Sequence, residues 1–313
     1  MMNLVEKVSR RLREGQLMRT ARAVLDTAPI CARRDGVVIA SMIGTRVLLP
    51  YLVAVKSLDA RLGRGRIVIL DDGTLTAADK ALLAHHCDNP QVIPIASVET
   101  APAPRGGCWE RLLAILDIAR EDYVIQLDSD IVAVGPVPEV AAAIEAGRSF
   151  TLLGGEDSML SDPAQVVAFA KERAALLASM GETKVHLQLA IELAMDQVAV
   201  PGLAAPRYVR GCAGFAGFAP DAAGRAPALA FSAEAERLVG SRWSEWGSEQ
   251  VASNFVIANR SDPVMLPYAR YLNYWREAVP ADAALVHFLG TNRYHAGRYA
   301  AAAKAAIAGL PTA

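Results

Sequence analysis

Residues 123–136 read YVIQLDSDIVAVGP: an apolar run from Tyr123 to Leu127 that ends in two carboxylates two positions apart, Asp128 and Asp130. A β-strand alternates its side chains, so residues at i and i+2 face the same side and can meet one ligand. Two like charges held this close are costly without a cation. Oxygen ligands of this kind suit Mg²⁺ or Mn²⁺, and such an ion held by one or two protein carboxylates completes its shell with water and substrate phosphates. The stretch therefore reads as the carboxyl end of a central strand facing a metal-bound diphosphate; the plain alternative is an Asp-rich turn after a strand.

Working outward, strand-like and helix-like segments alternate upstream of it. Val37 to Ser41 is a β-branched run, Leu48 to Leu62 is helical, Ile67 to Leu70 is a strand, Thr76 to His85 is helical and Val92 to Ile95 is a third strand. After the loop Thr100 to Gly107 (TAPAPRGG), a helix from Trp109 to Ala119 leads into the Tyr123 strand. This order predicts an α/β fold with parallel strands, helices on both faces and ligands at the carboxyl ends of the strands. Downstream the order is less regular: a strand at Phe150 to Leu153, helices around Gln165 to Ser179 and His186 to Met195, a strand-like stretch Tyr208 to Phe218 and a last helix near Ser248. No repeat, low-complexity tract or linker divides the chain, so residues 31–313 read as a single domain and residues 1–30 as a helical extension.

Composition bounds the function. The 313 residues are 53% hydrophobic and 21% charged, with 32 basic and 33 acidic residues and a formal net charge of -1. No excess of positive charge drives binding to a polyanion such as DNA, so any phosphate must be gripped locally and no nucleic-acid partner is expected. The longest charge-free stretches, such as Gln197 to Pro206 and Gly211 to Pro220, are about half the roughly 18 apolar residues of a membrane span. The N-terminus lacks the apolar core and cleavage site of a secretory signal. Four well-separated cysteines (Cys31, Cys87, Cys108, Cys212) without a CxxC pair fit reduced thiols. The expected location is the cytoplasm. Leu4, Val8, Leu12, Leu17, Ala21 and Val24 recur at helical spacing over residues 3–26 among Arg10, Arg11, Arg13, Arg19 and Arg22. Such a basic amphipathic helix packs on the main domain or a partner subunit, or touches an anionic membrane surface at the inner face.

Near the C-terminus, ALVHFLGTNRYH places His287 at the end of an apolar run, followed by Gly290 and Arg293. An imidazole can supply a nitrogen ligand to Mn²⁺, a glycine lets backbone N–H groups approach a phosphate, and a guanidinium takes phosphate oxygens in a bidentate fork. With Asp128 and Asp130, His287 makes a three-ligand set that closes only if the C-terminal segment folds back.

Over most of residues 36–295 the chain resembles the GT-A glycosyltransferases of glycosyltransferase family 8, the glycogenin and bacterial lipopolysaccharide galactosyl/glucosyltransferase type. The resemblance rests on the order and spacing of Arg105, Cys108-Trp109, Arg111-Leu112, Asp128-Ser129-Asp130, Cys212-Ala213-Gly214, Glu249-Gln250 with Asn254, and His287-Phe288-Leu289-Gly290 with Arg293. It implies a GT-A fold, a Rossmann-like and mostly parallel mixed sheet, and a metal-dependent, retaining transfer of a hexose from a nucleotide-sugar donor, UDP-linked in the family. Asp128 resembles the aspartate that contacts ribose and metal, Asp130 the bidentate metal ligand and His287 the third ligand. Gly290 and Arg293 would bind diphosphate, Arg105 would lie near the donor, and Glu249 and Gln250 would line the sugar and acceptor side as the catalytic pair. Asp71 and Asp72 lie near the nucleotide by topology alone. The sequence departs from the family in Cys212 for Asn, Glu249 for Asp, and Arg293-Tyr294-His295 for Lys-Pro-Trp, which bears on sugar contacts and phosphate geometry. The acceptor is unspecified, with a cell-surface glycan, a lipid or a protein all compatible.

Other constellations fail. IVILDDGTLT has Leu70 where a haloacid-dehalogenase phosphatase needs its nucleophile, and no P-loop or GxGxxG occurs. A nucleotidyltransferase should carry a Gly-rich basic loop after the first strand, and SMIGTR is a poor one; a non-catalytic sugar-nucleotide- or glycan-binding protein would lose metal ligands that are present here. His85-His86 reads as a favourable contact at a helix end. Trp243 and Trp246, and likewise Tyr271, Asn273, Tyr274 and Trp275, either line an acceptor or anchor the core. The loop Gly154 to Gln165 reads as a lid or as ordinary surface.

Overall fold

The computed structural model describes residues 4–182 and 185–313. Twelve strands are present among them: β1 (Val37–Ile43), β2 (Arg66–Asp71), β3 (Gln91–Pro94), β4 (Tyr123–Leu127), β5 (Ile131–Ala133), β6 (Phe150–Leu153), β7 (Leu160–Ser161), β8 (Tyr208–Val209), β9 (Gly211–Phe218), β10 (Val264–Met265), β11 (Tyr271–Asn273) and β12 (Leu285–His287). The helices are α1 (Leu4–Ala21), α2 (Leu48–Leu62), α3 (Ala77–His86), α4 (Trp109–Ile118), α5 (Pro138–Glu145), α6 (Pro163–Ser179), α7 (Leu187–Glu192), α8 (Ala226–Val239), α9 (Ser248–Ala258) and α10 (Arg298–Ala308).

The main sheet has the order β10-β6-β9-β4-β1-β2-β3. The four strands expected from the upstream alternation are mutually parallel, β1 lying between β2 and β4. Beyond them β9 runs antiparallel to both β4 and β6, which makes the sheet mixed. Alternation sorts its side chains into two layers. Val37, Ile39, Ile67, Ile69 and Ile125 face the side covered by α2, while Val38, Ala40, Val68, Leu70 and Val124 face Trp109, Leu112 and Ile115 of α4 and Phe255 of α9. Both faces are buried, so these strands read as continuous apolar runs.

Local chemistry sets the helix starts. Thr76 and Asp79 form a capping box at α3. Asp162 and Gln165 form another at α6, with Pro163 in its first turn, so α6 begins two residues earlier than the apolar spacing predicts. The stretch Tyr208 to Phe218 breaks at Arg210: β8 pairs with β7, whereas β9 joins the main sheet. His86 does not take the expected helix-end contact. It is buried, and its Nδ1 accepts from Lys56 Nζ at 3.0 Å.

The expected N-terminal helix is α1; its start at residue 3 and the side chain of Leu4 lie outside the described residues. Leu17, Ala21 and Val24 of its apolar stripe are buried against the domain, whereas Val8 is 49% and Leu12 67% exposed. The segment after it is tied down by backbone bonds from Ala28 N to Pro311 O and from Ala313 N to Asp26 O. Buried Lys56 adds bonds to Thr27 O, Thr27 Oγ1 and Ala28 O at 2.8–3.1 Å. The two chain ends thus close against each other beside α2.

A second sheet, β11-β12-β5, positions the site. β5 follows Asp130 directly and pairs antiparallel with β12, Ile131 opposite His287; β11 pairs parallel with β12, Asn273 opposite His287. Three short strands therefore carry the C-terminal segment back to the aspartates.

Candidate active site

Asp128 leaves β4 at its carboxyl end, where its N–H donates to Gly214 O of β9 at 2.9 Å. Asp130 follows two residues on and is 6% exposed; His287 is 4% exposed. His287 Nε2 lies 3.2 Å from Asp130 Oδ1, and ligand atoms of Asp128, Asp130 and His287 all lie within 4.8 Å of one another. The imidazole is oriented from behind. Asn273 Nδ2 donates to Leu153 O at 2.8 Å, which turns its Oδ1 toward His287 Nδ1 at 2.9 Å. Nδ1 therefore carries a proton, and Nε2, which faces Asp130, is the nitrogen a metal would take; an acceptor behind Nδ1 is the usual outer partner of a metal-binding histidine. Room for the ring comes from Gly214, where a Cβ would stand 2.4 Å from His287 Cε1. Two acidic oxygens and an imidazole nitrogen are a donor set that fits Mn²⁺ or Mg²⁺.

Cations already surround the aspartates. Arg111 Nη1 donates to Asp128 Oδ1 at 2.5 Å, and its Nη2 to Glu249 at 3.2 Å. Arg293 Nη2 donates to Asp130 Oδ2, and its Nε to Phe288 O at 3.1 Å. Burial opposes ionisation of Asp130, but His287 and Arg293 outweigh it and hold the carboxyl below its ordinary range. Asp128 shifts the other way: burial and the neighbouring Asp130 raise it against the pull of Arg111. Burial works against the His287 imidazolium as well, yet Cys212 and Asp130 raise it well above the usual histidine value.

Arg111 and Glu249 meet because α4 and α9 are pinned together, Trp109 Nε1 donating to Ser248 Oγ at 2.8 Å. Glu249 is 3% exposed, and burial pushes its carboxyl up to about 7 although Arg111 pulls it down. Its carboxylate is thus engaged beneath the aspartates. Gln250, the next residue, faces the other way. Its Oε1 accepts from Ala213 N and its Nε2 donates to Gln188 Oε1, each at 3.3 Å, and it lines an open cleft of about 500 Å³ with Cys212, Asn273 and the exposed rings of Trp246 and Trp275.

The aromatic candidates divide. Trp243 is buried and donates to Ser232 Oγ, Tyr271 is buried against Glu139, and Tyr274 is buried and bonds His295; Trp246 and Trp275 are 71% and 49% exposed in the cleft. The Gly154–Gln165 segment contributes Gly154, Gly155, Asp157 and Ser158 to the cleft wall. Gly290 is exposed with φ +54, the left-handed backbone that glycine adopts without strain. Arg105 is exposed on its loop, where its charge acts on Glu99. Asp71 is engaged in the turn after β2, accepting from Gly73 N and Leu75 N and pairing with Lys80 at 2.8 Å. Asp72 accepts from Thr74. Arg111 enters the sequence reading only as part of a motif, without a role, and Asn273 is left undecided there; a polar residue inside the otherwise apolar YLNYW stretch is the signal for Asn273.

The α1 helix abuts this edge of the molecule. Arg10 lies over the Tyr294 ring at 5.7 Å, and Glu14 pairs with Arg46 at 2.8 Å in the loop between β1 and α2.

No protein-family model matches the chain, and no curated protein sequence matches it. Solved structures do. The apo structure of WbbM, a bifunctional glycosyltransferase, is similar with a TM-score of 0.52 at 12% identity, over 90% of this chain and 51% of that one, so the chain spans about half the length of that protein. The galactosyltransferase LgtC, solved with donor and acceptor sugar analogues, gives a TM-score of 0.48 at 11% identity, over 88% of this chain and 97% of that one. Mouse xyloside xylosyltransferase 1 in its apo form gives 0.44 at 12% identity, over 80% and 96%. The likeness to WbbM establishes the fold: the chain is a single α/β domain of GT-A architecture, as its sequence motifs imply.

Proposed function

We propose that the protein is a metal-dependent glycosyltransferase that moves a hexose, with retention, from a UDP-sugar to a glycan, lipid or protein acceptor. The observation that carries the reading is the convergence of Asp128, Asp130 and His287 within 4.8 Å, at the carboxyl end of the strands of a GT-A fold. Mn²⁺ or Mg²⁺, held by these three residues, supplies Lewis acidity toward the diphosphate oxygens. The chain's own groups do the rest. Asp128 contacts the ribose, and the planar Arg293 fork receives phosphate oxygens on which negative charge builds as the anomeric bond breaks. Gly290 lets the backbone approach the same phosphates. No general acid is required to release a nucleoside diphosphate. Gln250 faces the sugar across the cleft, and Glu249 acts through Arg111 as a positioning residue for Asp128. Arg105 remains a donor contact from its exposed loop, whereas Asp71 organises the turn after β2. Val8 and Leu12, exposed on α1 beside Arg10 and Arg11, suit an anionic membrane surface at the inner face.

The test is isothermal titration of UDP, UDP-glucose, UDP-galactose and GDP-mannose with and without Mn²⁺, on the wild type and Asp130→Ala. Metal-dependent UDP binding that the substitution abolishes is expected, and the sugar nucleotides then rank the donor. Absence of nucleotide binding in the presence of metal sinks the transferase reading in favour of a binding module.

A further inference from the structure

The main cleft opens onto an apolar ridge that the fold leaves uncovered. Apart from Val8, Leu12 and Val279, the exposed large apolar side chains among the described residues are Met159, Leu176, Met180, Trp246 and Trp275. Trp246 and Trp275 line the cleft, together with Phe169 and Arg173 of α6. Leu176 follows Phe169 by two turns of α6 and Met180 caps the helix three turns on, so helical spacing sets both on the side that faces the cleft. Met159 stands beside Phe169, where both line a smaller hollow next to the cleft. From Phe169 to Met180 the ridge runs outward for about 16 Å. The outer half of α6 has no core of its own. Its buried residues are Val166, Val167 and Ala170, and none from 171 to 180 is buried although six of those ten are Ala, Leu or Met. A helix draws most of its stability from packing an apolar face, so Leu176 and Met180, 58% and 70% exposed, mark a face that something outside the fold covers.

Size and surroundings identify the occupant. A stable protein interface takes about 20–30 residues a side, whereas the ridge offers five exposed apolar side chains, those on α6 in a single row beside the polar Glu172 and Ser179. A narrow apolar chain fits such a row. At the inner end the surface changes to Gln188, Gln250 and Asn273 on the cleft wall, so a ligand that lies on both is polar at one end and apolar at the other. Arg173, exposed between Phe169 and Leu176, adds its aliphatic stem to the row while its charged head stays in water.

We propose that the acceptor is a glycolipid whose sugar head enters the main cleft and whose alkyl chain lies along α6 on Phe169, Leu176 and Met180. The assignment rests on the glycosyltransferase reading and narrows its acceptor from glycan, lipid or protein to a lipid whose chain begins close to the sugar that is glycosylated.

The test titrates methyl and octyl glycosides of glucose, galactose and lactose, below their micelle-forming concentrations, into the protein with UDP and Mn²⁺. For at least one sugar the octyl glycoside is expected to bind roughly tenfold or more tightly than the methyl glycoside, the worth of two buried CH₂ groups. Leu176→Ser combined with Met180→Ser, at exposed positions, should bring the octyl affinity down toward the methyl value, with metal-dependent UDP binding as the check that the variant is folded. Equal affinity for methyl and octyl glycosides, no glycoside binding at all, or an octyl advantage that the double substitution leaves intact overturns the glycolipid assignment while UDP binding persists. A wild type that elutes as a dimer, with the double variant a monomer, overturns it too, because the ridge is then an interface between two copies. Loss of UDP binding in the wild type overturns the donor reading instead.

Discussion

Replacing Arg111 by Met removes the cation that Asp128 and Glu249 share. Asp128 is partly exposed and can rehydrate, whereas Glu249 is 3% exposed and Arg111 is its ion-pair partner. Breaking a buried pair from one side costs about 3–5 kcal/mol. Protonation of Glu249 relieves most of that cost and gives what is left a pH dependence. The Glu249 carboxyl already stands at about 7 against an ordinary 4.5, and without Arg111 it rises further, so the variant folds with Glu249 protonated. The wild type, with Glu249 at about 7, already bears most of that proton cost, so the excess loss in the variant grows only above pH 7, by about 1.4 kcal/mol per pH unit. The sign follows from linkage: a folded-state pKa above the unfolded one means that the native state binds the extra proton, so stability is fully present below pH 4.5 and falls as pH rises. Arg111→Met should therefore lose about 1 kcal/mol more stability, relative to wild type, at pH 8 than at pH 5. Arg111→Met with Glu249→Gln should recover much of the loss, because a neutral amide is cheaper to bury. Urea denaturation followed by tryptophan fluorescence at both pH values measures all four species of this double-mutant cycle. A loss that is equal at the two pH values, or that Glu249→Gln fails to reduce, refutes the buried triad.

Asn273→Leu keeps the packing but removes the acceptor that orients His287, and Mn²⁺ affinity in the presence of UDP should fall by roughly 10–100-fold in a calorimetric titration. Gly214→Ala pushes a methyl into the imidazole, and metal-supported UDP binding should be lost with thermal unfolding lowered by several degrees; unchanged UDP affinity would show that His287 need not sit there. Burial holds the Lys56 ammonium at about 8, while in the unfolded chain it keeps its proton up to 10.5, so its contribution to stability rises with pH between those values. The difference in urea midpoint between wild type and Lys56→Met should accordingly grow between pH 8 and pH 10.

The first half of the fold is legible because each strand there is a long apolar run and each helix has its own periodicity and stop. Gly63, in the left-handed region, ends α2 where the sequence spacing ends it. The start of α6 was also written in the chain, as the Asp162-Pro163 and Gln165 capping box, but apolar spacing alone misses it. β5, β11 and β12 are three residues each, too short for any period to register, yet they bring His287 and Asn273 onto Asp130. The antiparallel place of β9 depends on its pairing with β4 and β6, which no local signal records. On α1 the apolar spacing is regular throughout, yet among its described side chains Leu17 and Ala21 are buried while Val8 and Leu12 are exposed.

The departures from the family pattern fall where the structure supplies a partner suited to the new side chain. A glutamate at 249 is one methylene longer than aspartate, and it uses that reach to meet Arg111 on α4. An arginine at 293 has a fork where lysine has a point, and the fork holds Phe288 O and Asp130 at once, which a single ammonium on a flexible stem would do less well. Cys212 stands 3.4 Å from His287 Nδ1, but the amide that orients the ring comes from Asn273 on another strand. Of the three, only Cys212 lines the cleft, whereas Glu249 and Arg293 are engaged with Arg111 and with Asp130 and Phe288 O. On this reasoning the exchange at Cys212, in the cleft wall, would act on which sugar is taken before it acts on whether a metal-diphosphate is held. Restoring Asn at 212 should then shift preference among sugar nucleotides more than it shifts UDP affinity.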